Sequence, residues 1–162
     1  MYILGIDPTK IVDNSASEIP GFEVGQLGVD DEGKVYQFVR ANGAIDVVGD
    51  VVGIDEAGDA TPVTTTTSAP AAGQGLPVGV AVVALEDNDW GWVQRYGVVA
   101  AINVASSCAV HTELNSTASG GRVDDDATTG AEVIEGLTTT AAESSNSAAG
   151  ILNWPYIGRT LA

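Results

Sequence analysis

The residues with the most reactive side chains sit in one stretch. Ser106, Ser107, Cys108 and His111 offer two hydroxyls, the chain's only thiol and its only imidazole. Serine beside histidine is the pairing of a nucleophile and its general base. The strained turn that would expose such a serine, G-x-S-x-G, is missing here, and one histidine among many serines is the expected coincidence. Cys108 and His111 stand three positions apart, as two zinc ligands could. A closed zinc site needs further nitrogen or sulfur ligands, and no second Cys/His pair exists to supply them.

Carboxylates offer a second kind of chemistry. Asp124-Asp125-Asp126 and Glu86-Asp87-Asn88-Asp89 could hold calcium. The first lacks the alternation of a calcium loop, and the second lacks its central glycine and distal glutamate. Both read as solvated turns. Gly73-Gln74-Gly75 lacks the third glycine and the following helix of a dinucleotide loop. Acidic pairs abound, but no pair stands out for glycoside hydrolysis. The sequence therefore points away from an enzyme, and it calls for no metal and no cofactor.

The overall charge narrows the partners. Six Lys and Arg face 22 Asp and Glu among 162 residues, a formal charge of −16. Such a surface repels phosphate, which argues against nucleic acid and against anionic membranes. No apolar run approaches the roughly 18 residues of a membrane-spanning helix. MYILGIDPTKIV lacks a basic start and is interrupted by Asp7 and Pro8, so it does not read as a signal peptide. A single cysteine fits production in a reducing cytoplasm.

The elements that must position these residues are short strands. Turn signals recur roughly every 8–12 positions, and no long amphipathic helix interrupts them, which is the pattern of a sandwich or barrel. Met1 to Pro20 sustains neither period and reads as an extended arm, with Tyr2, Ile3, Leu4 and Ile6 as apolar residues for docking. Residues 21–162 read as one β domain. Gly21 to Val29 reads as a first short strand, and KVYQFVRA follows the Asp30–Gly33 turn, with Tyr36 and Phe38 on one face. Ile45 to Ile54 is a Val-rich run broken by Gly49, a signal of a bulge or bend. Thr61 to Thr67 follows as an exposed strand, with Pro62 confining it to an edge, and Ser68 to Pro77 is a loop.

Val78 to Val99 is the centre of the expected core. Val78, Val80, Val82 and Ala84 point one way and Ala81, Val83 and Leu85 the other, so the outgoing strand is buried on both sides. On the return strand Trp90, Trp92 and Tyr96 share parity and are expected on one face, backed by Gly91 and Gly97. Residues 105–149 are rich in Ser, Gly and Ala and read as a long loop region. Strand pieces are expected near Ala109 to Leu114 and Glu132 to Thr140. Gly150 to Arg159 reads as an edge or closing strand because of Pro155, with Trp154 and Tyr156 on one face. Their apolar neighbours make these aromatics core or interface residues in preference to a sugar-stacking platform.

Taken in order, DDEGKVYQFVRA, AIDVVGDVVGI, a Thr-rich link, LPVGVAVVAL with DWGWVQRYGVV, and the closing YIGRTLA resemble the capsid decoration, or cement, proteins of tailed bacteriophages. The resemblance covers most of Gly21 to Val99 and the C-terminal strand, and it is weaker over Met1 to Pro20 and Ala105 to Ala149. It implies a small all-β, β-tulip-like barrel or sandwich with an extended arm. It further implies a homotrimer that binds the outside of an icosahedral head and bridges major capsid protein subunits, with no catalytic residues to carry over. The contrasting expectations are a carbohydrate-binding or adhesion module of a head fibre or tail, and a small hydrolase using His111.

Overall fold

The computed structural model describes residues 2–162, with side chains from Ile3 onward; Met1 and the Tyr2 side chain lie outside the described residues. The chain is all-β, with no helix among the described residues. The described elements are β1 (Tyr2–Leu4), β2 (Leu27–Val29), β3 (Val35–Ala41), β4 (Val51–Ile54), β5 (Asp59–Pro62), β6 (Val78–Ala81), β7 (Trp90–Asn103), β8 (Asn115–Ser116), β9 (Val123–Asp124), β10 (Glu132–Thr139) and β11 (Ser147–Thr160).

Strand pairing closes a small barrel. β3 pairs with β5, β5 with β4, β4 with β6, β6 with β7, and β7 returns to β3. Alternation then decides which side chains enter the ring. Val39, Ala41, Val52, Ile54, Ala60, Ala81 and Val93 fill the interior, and the bridged pair Ile45 and Leu85 joins them. A Cβ on Gly79 would meet Val93, and one on Gly91 would meet Leu85, at under 3 Å. These two glycines keep the interior clear, which suits so narrow a ring.

A second unit grows from the far half of β7. β11, β10, β8 and β9 follow in order, and this wing curls back over the outer side of β4 and β6. Val51, Val78 and Val80 meet Val99, Ile102, Leu114, Val123, Ile134, Leu137, Leu152 and Ile157 there in a second core. The four residues of β6 are all buried because they serve both cores. The expectation of a strand buried on both faces holds for Val78–Ala81; beyond it the chain bends, Val82 and Val83 are half-buried and Ala84 is exposed. Its pairing, Val80 with Gln94 and Ala81 with Val93, centres the hairpin on the acidic turn.

Several expectations are corrected. The first 20 residues are not free of the domain. Tyr2–Leu4 pairs in parallel with β2, and Val12 exchanges backbone hydrogen bonds with Trp90 at 2.9 and 3.0 Å. Residues 105–149, read as a loop region with strand pieces, also supply core residues: Cys108, Leu114, Val123, Ile134 and Leu137 are buried there. Ala109 to Leu114 forms turns, and the short strand follows it at Asn115–Ser116. The run from Ile45 is extended only from Val51, because Gly49 turns the backbone at φ +100°. β11 is interior to the sheet, flanked by β7 and β10. Pro155 is tolerated there because it lies in a bulge. From Glu135↔Tyr156 to Leu137↔Leu152 the register slips, so the proline is not asked for a ladder hydrogen bond.

Candidate functional site

Two bulges decide where the aromatic side chains go. On β7, Tyr36 faces Gln94 but Val35 faces Tyr96, so Arg95 is an extra residue. One extra residue reverses the alternation. Tyr96 therefore leaves the face of Trp90 and Trp92, which corrects the expectation that the three stack together. The Gln94 side chain pins the bulge by donating to the carbonyls of Tyr96 and Val98 at 3.1 and 3.0 Å. Beyond it β7 leaves β3 and takes β11 as its partner.

The aromatics thus separate into two groups. Trp92 is 1% exposed and meets Phe22 and Phe38 edge-on, at centroid distances of 5.0 and 5.1 Å. Val12 and Tyr36 complete this cluster, and Ile6 and Trp90 pack against it half-buried. Trp92 is core, Trp90 and Ile6 flank it, and Ile6 holds the N-terminal segment down. Ile3 is half-buried, whereas Leu4 is exposed.

The second group lies on the surface. Tyr96 is 43%, Trp154 39% and Tyr156 49% exposed. Tyr96 and Trp154 stand 6.2 Å apart with rings tilted by 30°. The β11 bulge builds this contact. Trp154 takes the left-handed region at φ +50°, rare for so bulky a residue, opposite Gly136 at φ +77°. A Cβ on Gly136 would approach the Asn153 carbonyl oxygen to 2.7 Å. Val98 and Ile151, directly paired across β7 and β11, extend the patch, and both are exposed. A shallow groove runs between Tyr96, Val98, Ile151 and Asn153.

Beneath this patch lies Arg95, 7% exposed, with its guanidinium 5.6 Å from the centre of the Trp154 ring. Its Nη1 donates to the Gln37 side chain, and its Nε has no acceptor. Burial pushes the guanidinium pKa downward. Among the described residues the ion pairs are Lys34–Glu32, Arg40–Asp59 and Arg159–Glu113, and Arg95 is in none of them. No signal in the sequence distinguished Arg95, because its burial follows from a bulge that the alternation pattern does not reveal.

The residues expected to bear catalytic or metal chemistry are placed as scaffold. The Cys108 thiol clusters with the carboxylates of Asp124 and Asp125, all within 4.8 Å, without His111. Burial foremost, then the Asp125 charge, pushes the thiol up to about 11 from 9.0, so it stays protonated at neutral pH. A folded-state value above the unfolded one stabilises the fold below pH 9, and that contribution is lost as pH rises from 9 to about 11. At pH 8 a thiol reagent is expected to label Cys108 at the rate of global unfolding and promptly in urea; fast labelling of the folded protein would refute this placement.

His111 is exposed, and among the described residues its ring makes no hydrogen bond to a serine or a carboxylate. The acidic turns are occupied by backbone amides. Asp89 accepts from Asn14 N at 2.9 Å, Asp87 from Gly43 N at 2.8 Å, and Asp55 from both Ala57 N and Asp59 N at 2.9 Å. Asp30 accepts from Lys34 N at 2.9 Å and from the Tyr36 hydroxyl at 3.0 Å. Much of the acidity therefore serves to close turns. No helix is long and apolar enough to cross a membrane. No protein-family model matches the chain, and no curated protein or solved structure is detectably similar to it.

Proposed function

We propose that this protein is a structural virion component. In this reading it binds the outside of a bacteriophage icosahedral head as a decoration protein and stabilises the shell by bridging major capsid protein subunits. It is made in the host cytoplasm and ends on the outer capsid surface as part of a homo-oligomer. The observation that supports adhesion over catalysis is the β7–β11 face. It offers Tyr96, Val98, Ile151, Trp154 and Tyr156 exposed on a sheet whose other side is fully packed. Exposed apolar patches of this kind mark protein contacts.

The groove beside Tyr96 is lined largely by aliphatic side chains and backbone. That favours a protein surface over a sugar, which needs a ring of polar groups around the stacking platform. Trp90 and Trp92, two of the expected stacking residues, are engaged in the Phe22–Phe38 cluster.

A partner that binds only the assembled shell stabilises it by mass action. The test is co-sedimentation with intact tailed-phage heads that lack the protein. The expected result is saturable binding at a fixed copy number per head, none to unassembled capsid protein, and a higher temperature of head disruption. Failure to bind assembled heads, or equal binding to unassembled subunits, would sink this reading.

A further inference from the structure

A groove of about 370 Å³ lies on the outer face of the β4–β5 pair. Alternation places it there. Val52, Ile54 and Ala60 point into the barrel, so Gly53, Asp55, Asp59, Thr61 and Val63 point away from it. Leu76 and Ile157 complete an apolar floor with Gly53 and Val63. The far wall is fixed in place. Thr67 Oγ1 donates to the Pro62 carbonyl at 2.9 Å, Gly75 N to the Ile157 carbonyl at 2.8 Å, and Ile157 N to the Leu76 carbonyl at 3.0 Å. That wall belongs to a stretch without an acid, Ala60 to Leu85, so the charges lining the groove are Asp55 and Asp59, at one end. These two carboxylates differ. Arg40 holds both oxygens of Asp59, Nε to Oδ1 at 3.0 Å and Nη2 to Oδ2 at 2.6 Å. Asp55 Oδ1 accepts from Ala57 N and Asp59 N, while Asp55 Oδ2 has no partner among the described residues and Asp55 is in no ion pair there. One uncompensated charge, with one free oxygen, therefore marks the end of an apolar groove.

We infer that this groove seats a lysine side chain of a protein partner, with its methylenes along the apolar floor and its ammonium on Asp55 Oδ2. The source of that lysine rests on the decoration reading, to which the groove adds a chemistry for the partner surface. An apolar floor leading to a single carboxylate suits a side chain that is hydrocarbon for most of its length and cationic at its tip. The length suits it as well, since Gly53 and Asp55 are two residues, roughly 7 Å, apart along the strand. A single free oxygen matches an ammonium, which is a point charge. The planar fork of arginine is matched by two carboxylate oxygens, and here one of them already caps the turn. A bare divalent ion needs several oxygen ligands. Among the described residues the one group of three metal-ligating side chains lies elsewhere, at Cys108, Asp124 and Asp125. The formal charge of −16 draws a cationic side chain toward the molecule from a distance.

Amide NMR titration of the isotope-labelled full chain at low salt tests this. The probe is Nα-acetyl-lysine N-methylamide, and its norleucine and arginine analogues are the comparisons. Norleucine keeps the four-carbon stem and lacks the ammonium. Saturable shifts are expected at the Gly53, Thr61 and Val63 amides, with a Kd in the millimolar range for so small a ligand. Both analogues are expected to bind at least about threefold more weakly, the order of one half-exposed charge contact. Asp55→Asn keeps the oxygen that caps the turn and removes the charge. Gly53→Ala fills the floor, and its new methyl would lie 3.4 Å from Ile157 Cδ1, an ordinary contact. Each variant is expected to weaken lysine binding at least about threefold with the rest of the amide spectrum unchanged, and Asp55→Asn decides should Gly53→Ala misfold. No saturable shift, analogues that bind as well as lysine, or undiminished binding in a folded variant overturns the inference. Head co-sedimentation is scored separately on the same proteins. Heads that take up the wild type and both variants equally overturn the inference and leave the decoration reading standing. A protein that binds the lysine probe and ignores heads overturns the decoration reading and leaves the groove a lysine site.

Discussion

Replacing Trp92 with alanine is expected to lower folding stability by about 3–5 kcal/mol, the range for emptying a large aromatic from a packed core. Trp92 is 1% exposed and touches two other rings edge-on, an arrangement favoured by the ring quadrupoles. It also anchors chain segments distant in sequence. Phe22, Phe38, Val12 and Ile6 converge on it, and its ring tip comes within 3.0 Å of where a Cβ on Gly28 would lie. The cavity would therefore loosen the N-terminal segment as well as the barrel wall. Domains of this kind are stable by roughly 5–15 kcal/mol, so the loss is a large share of the total. Urea unfolding followed by circular dichroism measures it. Tyr156→Ala is the comparison, since that ring is 49% exposed and the change is expected to stay within about 0.5 kcal/mol. Equal midpoint shifts for the two variants would show that the division into core and surface aromatics is wrong.

Gly49→Ala is expected to cost about 2–4 kcal/mol, from backbone strain together with a clash that cannot relax cheaply. Gly49 has φ +100°, and a Cβ there would lie 2.9 Å from Asn103 N and 3.1 Å from the Ile102 carbonyl carbon. Those neighbours are backbone. Gly49 is also the stitch between the two units. Its N–H donates to Ala81 at the end of β6, and its carbonyl accepts from Asn103 at the end of β7, both at 2.8 Å. The next residue, Asp50, is buried and accepts from the Asn103 side chain at 2.7 Å, while Arg122 Nε donates to Asn103 Oδ1 at 3.2 Å. Moving Gly49 disturbs this whole junction. Gly43→Ala is the control, because φ is +87° there but the space is open, which leaves only about 1 kcal/mol of conformational strain. Hydrogen exchange would show lost protection at the Gly49 and Asn103 amides. Similar costs for the two glycines would show that close approach plays no part.

Local signals read well wherever burial had a simple period. KVYQFVRA became β3 at Val35–Ala41, with Tyr36 and Phe38 in the aromatic cluster and Val39 and Ala41 inside the barrel. Glu132 to Thr140 became β10, one residue shorter. Turn chemistry placed the breaks, because Asp and Gly act on their own backbone. The candidate site was less legible. All its aromatic members were noted as core or interface residues, but parity grouped Tyr96 with Trp92, and it is the Arg95 bulge that parts them. A bulge inserts one residue without changing composition, so no periodicity reports it.

The sequence by itself determined the class of this protein. Its short β-rich runs, turn residues and acidity point to an all-β chain and away from a helical bundle. Folding in three dimensions made the far half of β7 and β11 neighbouring strands. It also decided that Ile6 and Val12 close over Trp92, and that the small, polar region after Ala105 supplies half of a core. The physical reason is the same in each case. Local propensity acts over a few residues, whereas strand order and register are set by which distant apolar faces can be buried against one another without leaving backbone groups unpaired.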